Sequence, residues 1–227
     1  MFTDESTIRI IEILRDSFFP ILKAGIYFTI PLSIITFILG TILAFLTAII
    51  RISTIKPLIV LAKIYLWIFR GTPLLVQLFI LFYGLPKLGV TLDPFPAAII
   101  GFTLNVGAYS SEIFRASILS IPKGQWEAAY SIGMKKSQAM RRIILPQAMR
   151  VSLPPLGNSF ISLVKDTSLA ATITVTEMFQ KSQQIVAATY EPLWLYIEVA
   201  FIYLIFSTVL SFGQSTLERR YNRTVAK

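Results

Sequence analysis

Twenty-seven consecutive residues, Ala24 to Ile50, carry no charge. Few folds accept such a run. A surface helix of a soluble domain keeps a polar face, and a secretory signal core spans only about 7–15 residues. A helix that crosses a bilayer needs about 20 apolar residues. The run is therefore read as a membrane helix that the protein retains. The rest of the chain agrees. Of its 227 residues 55% are hydrophobic and 15% charged, where a soluble domain has about 45–50% and about 25%.

Hydropathy and breakers place five spans in a single all-α membrane domain over 1–227, at about 21–50, 57–83, 96–119, 151–175 and 193–214. Ser6 to Phe19 ahead of the first span reads either as an interfacial amphipathic helix, with Ile8, Ile11, Leu14 and Phe18 on one face, or as an extension of that span. Gly71-Thr72-Pro73 predicts a kink or a broken helix inside the second span. Residues 83–96 and 177–192 read as loops, the second of them polar.

Lysine and arginine are unevenly shared. The 51–56 loop, the 120–150 segment and the tail after 214 hold twelve, the last of them Lys227, while residues 1–23, 84–95 and 177–192 hold five. Basic loops stay in the cytoplasm. The C-terminus and 120–150 are thus expected inside and the N-terminus outside. This also accounts for the formal charge of +9 without nucleic acid as a partner. The chain has no cysteine and no histidine. Disulfides, thiolate or imidazole metal sites and serine–histidine catalysis are excluded.

The segment 120–150 does not belong in lipid. Glu127-Ala128-Ala129 opens a run of helix formers, Gly133 breaks it, and a basic helix from about Ser137 to Ile144 is expected to end at Leu145-Pro146. Such an element is too short for its own core and must lie against the membrane face or another protein. On pattern alone it is also explained as a solvated loop whose charges fix topology.

The spacing of Glu127-Ala128-Ala129, Gly133, Ile143, Leu145 and Pro146 resembles the EAA motif of ABC importer permeases. Phe69 to Gln77 and Gln125 to Ala129 resemble the polar amino acid branch, and Ile161 to Thr172 is similar to cystine permeases. The resemblance implies a type I importer permease of a bacterial inner membrane. Glu127, Ala128, Ala129 and Gly133 would then form the coupling helices that contact a cytoplasmic ATP-binding subunit. That subunit, in two copies, would carry ATP and magnesium. This chain needs no cofactor and lacks a phosphate-binding G-x-x-x-x-G-K-[ST] loop, so it is not expected to be an enzyme. A second permease chain, expected as a homodimer, and an extracytoplasmic amino-acid-binding protein complete the implied set of partners.

Charged groups within spans are functional candidates by default. Asn105, Tyr109 and Glu112 share one helical face, Arg70 precedes the Gly-Thr-Pro break, and Asp166, Thr167 and Ser168 follow an apolar run. An amino acid offers an ammonium and a carboxylate. Asp166 suits the first, with Asn105, Tyr109, Thr167 and Ser168 adding hydrogen bonds. The same charges could instead neutralise one another between helices, Arg70 being the partner weighed for Asp166. Cystine is favoured by likeness; arginine, glutamine or histidine would use similar residues. A secondary transporter would need inverted repeats, and an ion channel a filter-like segment; the sequence displays neither.

Overall fold

The computed structural model describes residues 4–223. Lys227 and residues 1–3 lie outside them. Among the described residues the chain is almost entirely helical, with no strand. The helices are α1 (Asp4–Ala24), α2 (Ile30–Ile52), α3 (Lys56–Gly71), α4 (Leu74–Phe79), α5 (Pro94–Leu119), α6 (Lys123–Ser131), α7 (Lys136–Ala139), α8 (Leu145–Asp166), α9 (Met178–Thr189) and α10 (Pro192–Arg223).

Three of the joins between them are wide π turns: Gly25–Thr29, Ile80–Gly84 and Met140–Ile144. Each is followed by one residue and then a proline, at Pro31, Pro86 and Pro146. A proline within a helix lacks the N–H and its ring clashes with the carbonyl four residues back. Widening the turn ahead of it removes both conflicts. Ile30, Leu85 and Leu145 donate to the carbonyls five residues back, of Gly25, Ile80 and Met140. The helix path thus survives at Pro146, where it was expected to end. The basic helix does not stop at Pro146 but continues through the π turn into α8. That helix also contains Pro154 and Pro155.

Through its own π turn α1 likewise runs on into α2, and Glu5–Ile52 is continuously helical. Ser6 to Phe19 is thus helical and continuous with the first span. Ile8 and Ile11, placed on the apolar face, stay exposed, and Arg9 donates to the Thr189 carbonyl at 3.0 Å. The Gly-Thr-Pro break is real: Thr72 is extended, at φ −122° and ψ 147°, as the residue before a proline prefers. The helical axis bends there by 103°.

Among the described residues Glu5–Ile52 and Pro192–Arg219 are each long and apolar enough to cross a membrane, and the bent pair Lys56–Gly71 with Leu74–Leu88 qualifies if taken as one span. Helices α5 and α8 carry too many polar residues to qualify on composition. Residues 177–192 are not a loop. They form α9, because the Glu177 side chain caps it by accepting from the Gln180 N–H at 2.7 Å, and Met178 and Ser182 face inward. The fourth predicted span changes character at Asp166, where α8 gives way to a 3₁₀ helix over Thr167–Ile173.

The chain divides into two compact units. Among the described residues the first comprises the chain up to residue 37, then 74–102 and 161–211. Its core is Ile21, Met178, Val199 and Ile202. Two buried carboxylates lie in it, Glu177 receiving the Tyr203 hydroxyl and Glu198 the Ser17 hydroxyl. The second comprises 38–73, 103–160 and the described residues from 212 onward. There Gly107 admits the Tyr65 hydroxyl and Leu43; a Cβ would come within 2.7 Å of that hydroxyl. Tyr65 then donates to the Leu104 carbonyl at 2.6 Å.

Candidate functional site

The charges expected in the membrane gather around Glu112 in the second unit. Arg51 Nη1 donates to Glu112 Oε2 at 2.6 Å, and Arg70 Nη1 stands 3.9 Å from the same oxygen. Arg115, one turn along α5, donates through Nε to Oε1 at 3.0 Å and through a second nitrogen as well. Both carboxylate oxygens are therefore occupied. The Arg70 guanidinium also lies 5.6 Å from the centroid of the exposed Tyr109 ring, a cation–π distance. So Arg70, Tyr109 and Glu112 come together. Asn105, two turns earlier on α5, is half-buried and engaged with neighbours of its own.

Arg51 was read from sequence only as the end of a span and a topology signal. A better signal was present. Gly40, Ala44, Thr47 and Ala48 recur at helical spacing and are all buried. Arg51 continues that stripe, so it faces the interior rather than the loop.

Asp166, Thr167 and Ser168 belong to the first unit. Asp166 is exposed and forms no ion pair among the described residues; the ion pair that Arg70 makes is with Glu112. Thr167 is fully buried and its hydroxyl donates to the Val164 carbonyl at 2.7 Å, which leaves it little to offer a ligand. Ser168 is half-buried. The 3₁₀ helix ends in a paired-hydrogen-bond cap, Val175 N–H to Ala170 O at 3.1 Å and Thr174 N–H to Ala171 O at 3.0 Å. Glycine usually fills the left-handed position of such a cap. Here Thr174 does, at φ 65°, a strained conformation for a β-branched residue.

The segment 120–150 is anchored from below. Ile118, Ile121, Ile144 and Ala148 form a buried cluster, with Ile49, Ile52 and Trp126 packed against it. Ala129 is buried, whereas Glu127 and Ala128 are exposed. Gly133 adopts φ 77° and closes the same kind of cap, Met134 N–H to Ala129 O at 3.1 Å and Gly133 N–H to Tyr130 O at 2.9 Å. Beyond the cap Ile132 is 71% exposed. The result is a capped polar turn, seated on apolar residues of its own chain and leaving the Glu127 carboxylate and the Tyr130 and Ile132 side chains exposed.

The sequence was compared with known proteins. Residues 40–223 match the family model described as binding-protein-dependent transport system inner membrane component. The chain is 58% identical to the L-cystine transport system permease protein TcyB of Bacillus subtilis (strain 168), over 95% of this chain and 93% of the relative. It is 41% identical to the probable amino-acid ABC transporter permease protein YckA of the same organism, over 89% and 90%. Among solved structures, one described as a crystal structure of an amino acid ABC transporter with histidines superposes with a TM-score of 0.82 at 33% identity, covering 97% of this chain and 100% of that one.

Proposed function

The chain belongs to the binding-protein-dependent transport system inner membrane components and is a permease of an ATP-driven amino acid importer, and we propose that the amino acid it carries is cystine. The observation that carries this reading is the 58% identity, along nearly the whole chain, to a permease named for L-cystine. Arginine, glutamine and histidine are the alternatives within the same branch.

The exposed turn from Glu127 to Gly133 is the docking element for a cytoplasmic ATP-binding subunit. Its anchored base and outward Glu127 and Ile132 support this, since a merely solvated loop needs no buried cluster beneath it. Each permease chain offers one such turn, so two ATP-binding subunits call for two permease chains, here a homodimer. ATP and magnesium sit on the partner, and an extracytoplasmic binding protein delivers the amino acid. Within the first unit Asp166 is the group for the substrate ammonium, with Ser168 adding a hydrogen bond; within the second, Asn105 and Tyr109 are candidate hydrogen-bonding groups of the translocation path and Arg70 its positive charge. Thr167 shapes the 3₁₀ turn, and Glu112 serves the arginines around it.

The test is uptake of labelled cystine by liposomes that hold the permease with its ATP-binding subunit and binding protein. Uptake is expected only with ATP inside the nucleotide-accessible compartment. Unlabelled cystine is expected to compete better than arginine, glutamine or histidine. ATP-driven uptake of arginine in preference to cystine would overturn the substrate assignment and leave the importer standing.

A further inference from the structure

Arg51 and Glu112 sit at the lower ends of two helices whose tips hold the docking turn. Ile49 and Ile52 flank Arg51 on α2, and Ile118 and Ile121 follow Glu112 beyond Arg115. These four isoleucines belong to the apolar seat on which Trp126 of α6 rests. Six residues separate Glu112 from Ile118, about 9 Å along a helix at about 1.5 Å per residue. Besides the isoleucines of the seat, α2 and α5 touch where Phe45 packs on Phe114, two residues beyond Glu112 on α5, with ring centroids 5.6 Å apart. Near the seat itself the polar link between them is the Arg51–Glu112 ion pair at 2.6 Å.

The pair is built to be held in place. Arg51 is mostly buried, with 19% of its side chain exposed, against 32% for Glu112. Arg115 grips the second carboxylate oxygen from the same helix. It thereby fixes the rotamer that turns Oε2 toward Arg51. A charge near lipid that only marked topology would need no such orientation.

We infer that the Arg51–Glu112 ion pair, oriented by Arg115, is a tie that clamps the ends of α2 and α5 into one mount for the docking turn. Motion imposed on α6 by the ATP-binding subunit then reaches both helices together instead of being lost as their ends splay. Arg51 and Glu112 are positioning residues in this scheme and touch neither substrate nor nucleotide. The inference rests on the reading that residues 127–133 dock the ATP-binding subunit.

The experiment uses the complete transporter in liposomes and reads amino acid taken up per ATP hydrolysed, together with the amino acid concentration that half-saturates uptake. Arg51→Gln is expected to lower the uptake-to-hydrolysis ratio by about fivefold or more, the lower end of typical coupling between sites. The half-saturating concentration stays as in the wild type. Arg51→Lys, which keeps a charge within reach of one oxygen, recovers most of the ratio. A wild-type ratio in Arg51→Gln overturns the tie. So does a raised half-saturating concentration at unchanged ratio, which makes the cluster a substrate site. If Arg51→Gln does not insert while Arg51→Lys does, the pair is structural only, and the inference fails. If Glu127→Ala and Gly133→Val leave both ATP-binding subunit copurification and uptake intact, the docking reading fails, and the tie falls with it.

Discussion

Asp166 and Gly133 show how one residue's surroundings decide what its replacement does. Asp166 ends α8, is exposed and has no ion pair among the described residues. Its charge is therefore available to a ligand in a way that the charge of Glu112 is not. A hydrogen bond to a charged group contributes about 1.5–3 kcal/mol. Asp166→Asn is thus expected to reduce uptake by roughly tenfold or more, while the ATP-binding subunit still copurifies. Because Arg70 already has Glu112 and Tyr109, adding Arg70→Gln should not restore transport. Rescue by the double variant would show that the two charges merely balance. Gly133 works through its backbone alone. A Cβ there meets nothing within 4 Å, so only φ 77° resists substitution. Valine at such a φ costs about 1–3 kcal/mol of local strain. Gly133→Val should deform the docking turn and depress ATP-driven uptake, with membrane insertion and span topology intact. Normal uptake in correctly inserted Gly133→Val would remove the turn from the coupling route.

At the scale of elements, legibility followed the length of the signal. The break at Gly71-Thr72-Pro73 and the turn at Gly133 were readable because glycine and proline act on their own backbone. Helix α9 was not, since its Lys, Gln and Ser residues look solvated; the signals missed were the Glu177 cap and the inward Met178 and Ser182. Arg51 was missed because a charge at the end of an apolar run is usually a topology marker. The π turns escaped entirely. Proline alone says that a helix is in difficulty, but whether it stops or widens depends on what the next turn packs against. Ile144, the last residue of the Met140–Ile144 turn, is fully buried in the apolar seat, which is why the chain widens there and continues. That makes Pro146 a testable residue. A helix-interior proline is less favourable than alanine by about 3 kcal/mol, part of which the wide turn relieves. Pro146→Ala should therefore raise the thermal midpoint of the purified protein. If the turn tightens to an ordinary helical one, Ile144 rotates within its seat and uptake falls. A lowered midpoint would mean that the proline, not the packing, holds the π turn.

For the molecule as a whole the open quantity is how often the chain crosses the membrane. Composition alone supports two crossings, or three with the bent pair. Five requires α5 and α8 to span despite their polar residues. Those residues have shelter: Ser110, Ser111 and Ser117 of α5 and Ser152 of α8 are buried. Ser110 and Ser159 stand 3.5 Å apart across the two helices. A helix whose polar groups face its neighbours can lie in lipid at low overall hydropathy, because the hydrocarbon meets only its outer face. The arginine and lysine count points the same way, with residues 120–150 holding six of the basic residues assigned inside. Reporters at the C-terminus and at Gly89 do not decide the matter. With three crossings or with five, the C-terminus is inside and Gly89 outside. The two topologies differ at Gly124, where the chain is exposed and a Cβ meets nothing within 4 Å. With three crossings everything between residues 89 and 191 stays outside; with five, Gly124 is inside. A small reporter inserted at Gly124 is expected to be active only if it works in the cytoplasm. Labelling of a cysteine placed there, in a chain that has none of its own, should need a membrane-permeant reagent. Labelling by an impermeant reagent in intact cells would bring the count down to three. It would also put the docking turn on the side where no ATP-binding subunit could reach it.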